Sequence, residues 1–142
     1  MAQHQRRFDA EGNVLFVVEH GGRIVGYGWV AWLTPVQHGG RNAPDGWYLS
    51  GVVIAPGLRR RGLGRRLTQQ RIAWALERGD AVHYVVAASN RASRDLHASL
   101  GFEEVTDDFR MPGVVFTRDD GLLCRLVDRA EAPVIDLASR RR

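Results

Sequence analysis

Five arginines and two glycines lie between Leu58 and Leu67, in the run Leu58-Arg59-Arg60-Arg61-Gly62-Leu63-Gly64-Arg65-Arg66-Leu67. The apolar stretch Val52-Val53-Ile54-Ala55 precedes it, Pro56-Gly57 breaks the chain, and a helical pattern opens near Gly62. The first turn of a helix leaves backbone N–H groups unpaired and carries partial positive charge, which makes it an anion site. Gly62 and Gly64 remove the side chains that would hold a phosphate away. The arginines add charge and fork-shaped donors. A merely solvated helix start does not account for two glycines in one turn, each costing ~1 kcal/mol against alanine. The chemistry this stretch suits is the grip of a pyrophosphate.

A second set follows at Asn90-x-x-Ser93-x-x-Leu96-His97-x-x-x-Gly101-Phe102. Other chemistries are excluded by residue type. Cys124 is the only cysteine, so neither an internal disulfide nor a cysteine zinc cage can form. Its setting, Leu122-Leu123-Cys124-Arg125-Leu126, reads as a strand with a small buried hydrophobe. The histidines (His4, His20, His38, His83 and His97) show no metal-ligand spacing, so no metal is expected. All 20 basic residues are arginine, and without lysine there is no Walker A loop and no lysine Schiff base. The net charge of +4 favours an anionic ligand. Dinucleotide binding fits less well: Leu67 stands where the third glycine of that fingerprint belongs, and no acidic ribose partner follows.

The elements that must position these residues can be read in outline. Residues 1–12 are polar and read as loose. Val14–Glu19 and Ile24–Leu33 form a hairpin around His20-Gly21-Gly22-Arg23. Thr34–Gly46 is a loop, and Trp47–Ala55 is a strand stopped by Pro56. The helix over Gly62–Arg78 has Leu63, Leu67 and Trp74 on one face, with Ile72 and Leu76 nearly opposite, and Gly79 ends it. After a strand at Val82–Ala87, Ser89 or Asn90 caps a helix whose buried face is Ala92, Leu96 and Leu100, closed by Gly101. Phe102–Val105, Val114–Thr117 and Leu122–Val127 read as closing strands. The middle strand–helix–strand unit predicts a right-handed parallel crossover, with ligands at the carboxyl ends of its strands. The whole is an α+β domain over residues 1–127 with a flexible tail over 128–142.

Arg59-x-x-Gly62-x-Gly64 resembles the pyrophosphate motif of the GNAT acyltransferases. The run from Asn90 to Gly101-Phe102 resembles that family's second conserved segment, at the right separation from the first. The resemblance covers about Val14 to Val127. It implies a mixed, mostly antiparallel sheet with a central parallel β-α-β unit, helices on both faces and a shortened N-terminal part. It implies acetyl-CoA as co-substrate and acetyl transfer to a primary amine of a small molecule or peptide, by direct attack in a ternary complex. The backbone of Val52, Val53 and Ile54 would hydrogen-bond the pantetheine arm and the acetyl carbonyl. The turn Arg59, Arg60, Arg61, Gly62, Leu63, Gly64 and Arg65 would hold the pyrophosphate, and Asn90 would contact the arm. The two parallel strands would splay to house the thioester.

Three departures matter. His97 stands where many members carry a tyrosine that protonates the leaving thiolate; histidine can do that work, and can equally pack or cap locally. Val85 stands where some members that acetylate protein N-termini carry a glutamate base, which argues against copying their mechanism. Met1 to Asn13 are too few for the first strand and two helices of many members, so the acceptor pocket is open or a second subunit completes it. Exposed strand edges favour a homodimer.

The acceptor side is less defined. Glu19, Asp45, Glu103, Asp107 and Asp108 are general-base candidates by type alone. Tyr48 and Ser50 lie on the central strand, where they touch an acceptor or serve as face residues. Trp29, Trp32, Trp47, Tyr48 and Phe109 line an aromatic pocket or, as is commoner, the core. The alternatives are a non-catalytic acyl-CoA sensor and an arginine-rich polyanion- or nucleic-acid-binding module; few aromatics interleave the arginines, so no nucleic acid is expected. No apolar run reaches the ~18 residues of a membrane span, and Met1–Arg7 leads into no secretory core, so the cytoplasm is the expected location.

Overall fold

The computed structural model describes residues 3–8, 12–34, 43–111, 116 and 120–128. One sheet runs through them. Its strands are β1 (Gln3–Phe8), β2 (Asn13–His20), β3 (Arg23–Leu33), β4 (Gly46–Ile54), β5 (Ala81–Ala87), β6 (Glu103–Thr106) and β7 (Gly121–Val127). Two helices join them, α1 (Leu63–Leu76) and α2 (Arg91–Ser99). The spatial order is β1-β2-β3-β4-β5-β7-β6. Every neighbouring pair is antiparallel except β4 and β5, which are parallel.

Alternation decides which face of each strand is buried. Val14, Phe16 and Val18 of β2, Val30 of β3, Leu49 of β4 and Val82, Tyr84 and Val86 of β5 share one cluster. α1 adds Leu67, Ile72, Trp74 and Ala75 to this cluster, so the helix is buried on more than one side. Trp74 stands edge-on to Phe16 at 6.2 Å and to Trp47 at 5.0 Å, which ties the helix to β2 and β4. A smaller cluster of Ala43, Tyr48, Met111 and Leu123 lies on the other face.

Three expectations need correction. Residues 1–12 are not uniformly loose: Gln3–Phe8 pairs with β2 as an edge strand. Its sequence lacks the apolar alternation of a half-buried strand, and its pairing with β2 is a backbone ladder. α1 ends at Leu76 with Glu77 as cap, three residues before Gly79. The helices expected on both faces are, for the two described, on one. β4–α1–β5 and β5–α2–β6 progress in the same direction along the sheet, and two right-handed crossovers then lie on the same side. Val114, Val115 and Thr117 and the tail from 129 onward lie outside the described residues.

α2 is closed at both ends as its sequence suggested. The Asn90 side-chain oxygen accepts from the Ser93 N–H at 3.2 Å. At the other end Phe102 N–H donates to the His97 carbonyl and Gly101 N–H to the Ala98 carbonyl, a Schellman pair around Gly101. Its buried face is not the one expected. Ala92 is exposed and Leu96 half-buried, while His97 is the buried residue.

Leu67 is fully buried between α1 and the sheet. Leu67→Ala should cost ~2–5 kcal/mol, read as a lower urea midpoint with an unchanged m-value; a loss well under 1 kcal/mol would contradict this packing.

Candidate active site

β4 and β5 pair only at Trp47↔Val82 and Tyr48↔His83. Both strands run on, to Ile54 and Ala87, and a cleft of 560 Å³ opens between them. Ser50, Gly51 and Val52 line one wall, Tyr84 to Ala87 the other, and Asn90, Ser93 and His97 of α2 border it. A bulge accompanies the parting. Trp29 of β3 faces Ser50, but Gly28 faces Val52, so Gly51 is the extra residue, at φ +50. Bulges bend a strand and re-aim its backbone. From Ser50 to Val53 the strand is exposed, where its earlier half is largely buried.

The chain then turns through Pro56–Leu58 into α1. Gly62 is the helix N-cap at φ 76, in the left-handed region that favours glycine, and no side chain caps the helix. The first turn holds no acidic residue. Arg66 N–H donates to the Gly62 carbonyl at 3.0 Å, so the N–H groups of Leu63, Gly64 and Arg65 precede the first intrahelical bond. A Cβ at Gly62 would meet nothing within 4 Å, and that open space is where an anion can approach the backbone. Arg59 Nε donates to the Ile54 carbonyl at 3.2 Å and pins the turn to the end of β4. Arg65 donates to Ser99 Oγ at 2.8 Å and leans toward α2. Arg60, Arg61 and Arg66 are exposed, and Leu63 packs on the core. This helix start, with unpaired N–H groups, no acid and exposed arginines, suits an anion.

His97 is 6% exposed. Its ring stacks on Tyr84 with centroids 3.7 Å apart and stands edge-on to Phe102 at 5.2 Å. Its Nδ1 lies 2.7 Å from the Ser93 carbonyl oxygen. A carbonyl only accepts, so Nδ1 carries the proton and the neutral ring has its lone pair on Nε2. Burial pushes the imidazole below its ordinary pKa; the Ser93 carbonyl opposes that, and the charge of Arg71 adds to it. His97 is therefore neutral at pH 7. Burial raises the Tyr84 phenol, which also stays protonated. Burial likewise lifts the Cys124 thiol to about 11, so it is no nucleophile at neutral pH.

The remaining candidates separate cleanly. Ser50, Val52, Val85, Asn90 and His97 come together at the cleft. Val53 is exposed beyond it, and Ile54 is buried. Tyr48 is core: its hydroxyl donates to the Pro44 carbonyl at 2.5 Å and its ring stacks on His83. Trp47 is wedged between Trp32 and Trp74. Glu19, Asp45, Glu103, Asp107 and Asp108 do not line the cleft. Among the described residues no group of His, Cys, Asp and Glu is placed to hold a metal ion, and no helix is long and apolar enough to cross a membrane. Two cleft residues escaped the sequence reading, Tyr84 and Arg71. The signal for Arg71 was its spacing, four residues after Leu67 and three before Trp74, on the stripe that meets the sheet.

Residues 1–102 match the model of the "Acetyltransferase (GNAT) family". Among solved structures, the chain is similar to the ribosomal-protein-S18-alanine N-acetyltransferase of Escherichia coli. That match has a TM-score of 0.64 at 23% identity, over 90% of this chain and 77% of that one. It is similar to the ribosomal-protein-alanine N-acetyltransferase of Brucella melitensis, with a TM-score of 0.60 at 28% identity, over 81% and 68%. It is also similar to an acetyltransferase of Bacillus anthracis solved in complex with acetyl coenzyme A, with a TM-score of 0.61 at 18% identity, over 82% and 62%. No curated protein sequence matches the chain.

The buried imidazole has a consequence for stability. Its folded pKa lies below 6.5, so its contribution is full above the unfolded pKa and is lost as pH falls through the folded value. The urea midpoint should fall from pH 7 toward pH 5, and His97→Phe should flatten part of that slope; His83, also pushed down chiefly by burial, accounts for more of it. An unchanged slope in His97→Phe would contradict a buried neutral ring.

Proposed function

The chain belongs to the GNAT family of acetyltransferases, and from that premise we propose that it transfers the acetyl group of acetyl-CoA to a primary amine of a small molecule or peptide. The observation that carries this reading is the parting of β4 and β5 beside an uncapped, acid-free α1 N-terminus. The N–H groups at Leu63, Gly64 and Arg65, with Arg60 and Arg61, hold the pyrophosphate. Arg59 fixes the turn through Ile54, and its own charge adds to the site. The backbone of Val52, Val53 and Ile54 aligns the pantetheine arm, with Asn90 across the cleft. Acetyl-CoA supplies an activated thioester.

Transfer is direct. The amine nitrogen bonds to the thioester carbonyl carbon, the carbon–sulfur bond breaks, and the sulfur leaves as thiolate. The amine gives up one proton and the thiolate takes one. His97 suits the first task better than the second, because its Nδ1 proton is held by Ser93 and its neutral ring offers a lone pair at Nε2. Solvent protonates the thiolate. Aligning both reactants in one cleft is worth ~7–11 kcal/mol at best, and β4 amides facing the carbonyl oxygen stabilise the oxyanion.

Two of the similar structures are named as ribosomal-protein-alanine N-acetyltransferases. Val85 gives the cleft wall an apolar side chain, with no carboxylate to receive a peptide ammonium there. The acceptor class is therefore kept at primary amines, peptide termini included.

Calorimetric titration with acetyl-CoA should show one site, weakened about tenfold or more by Gly62→Glu through like charge and blocked backbone. ATP and a short DNA duplex serve as controls. Salt-sensitive binding of DNA with none of acetyl-CoA would overturn the reading. Tight acetyl-CoA binding with no thiol release across an amine panel would instead make the chain an acyl-CoA sensor.

A further inference from the structure

Arg71 occupies a place on α1 where a helix normally puts a hydrophobe, and it is 1% exposed. Its Nη1 donates to the Trp29 carbonyl at 3.0 Å and to the Ser50 carbonyl at 3.2 Å. Its Nη2 donates to Thr68 Oγ1 at 3.2 Å, and that hydroxyl donates on to the Gly64 carbonyl at 2.8 Å. No carboxylate pairs with the guanidinium among the described residues, and its buried Nε has no partner. Burial brings its pKa down to about 10, so the charge persists at neutral pH. An unpaired buried charge is costly, and such departures from local rules mark sites under functional constraint.

Its position gives the reason. Trp29 and Ser50 face each other across β3 and β4, directly beside the bulged Gly51. Ser50 is two residues past Tyr48, the last residue of β4 to pair with β5. The fork thus clasps two strands at the vertex of the cleft. Gly28 makes room for it: a Cβ there would lie 3.0 Å from Arg71 Cζ, 3.1 Å from Nε and 2.9 Å from the Gly51 carbonyl oxygen. Thr68 carries the same tie toward Gly64, in the anion-binding turn.

We propose that Arg71 is a positioning residue for the acetyl-transfer cleft: it fastens β3 to β4 at the bulge and holds Gly51 to Val53 clear of β5, presented to the pantetheine arm. The proposal rests on the cofactor reading above for its last clause only. Nη1 bridges the two carbonyls while Nη2 holds Thr68, and the single nitrogen of a shorter lysine cannot span all three acceptors in that geometry.

The test is amide hydrogen exchange and acetyl-CoA titration on the wild type, Arg71→Met, Arg71→Lys and Gly28→Ala. In Arg71→Met, exchange at Gly51, Val52 and Val53 should rise about tenfold while Val14, Phe16 and Val18 stay protected, and acetyl-CoA should bind about tenfold more weakly. The His97 ring, which faces Tyr84, Phe102, Ser93 and the Arg71 charge, should titrate higher by NMR in Arg71→Met. Arg71→Lys should keep its titration near wild type without restoring the exchange protection. Gly28→Ala displaces the fork without deleting it and should loosen the same three amides, so the test survives if Arg71→Met does not fold. Exchange and affinity within twofold of wild type, or a rise spread evenly over the core, would overturn the proposal. A wild type that fails to bind acetyl-CoA would sink the functional reading, and the exchange data would still judge the clasp.

Discussion

Two parallel strands that pair for two residues and then part leave backbone groups that need other partners, because buried amides and carbonyls cannot stay unpaired cheaply. β4 meets that demand with its bulge at Gly51 and with the Arg71 fork on the Ser50 and Trp29 carbonyls. What remains, from Ser50 to Val52, is exposed strand that lines a cleft where β5 no longer pairs with it. β4 ends at Ile54 and α1 begins at Leu63, and Arg59 ties the turn between them to the Ile54 carbonyl.

The electrostatics along this stretch are one-sided. The first turn of α1 holds no acid, five exposed arginines lie in and before it, and a buried sixth stands at the vertex. The groups nearest the vertex are kept uncharged: His97 by burial and by Arg71, Tyr84 by burial. Positive charge gathers at the start of α1, and neutral rings border the cleft. No cysteine chemistry competes, since the Cys124 thiol is buried and raised.

The strand–turn–helix around Gly62 was legible because its causes are local: a strand, a break, and a glycine at the position that requires φ 76. The Asn90 cap and Gly101 closure were legible for the same reason. His97, singled out in the sequence, borders the cleft, but its burial was not legible, since counting apolar residues by fours selects Leu96. Its burial comes from stacking on Tyr84 and Phe102, which lie far off in sequence or beyond the helix end. Arg71 was not legible as a clasp, because its partners are carbonyls of β3 and β4. Nor was β1, whose drive is a ladder with β2 and not a pattern of its own side chains.

The central claim is that one ligand spans the open half of β4 and the start of α1. An amide-resolved NMR titration with acetyl-CoA tests it most directly. The account expects the amides of Leu63, Gly64 and Arg65 and those of Val52 and Val53 to shift together along one saturable curve. Shifts confined to scattered arginine-rich surface, or absent from β4, would contradict it.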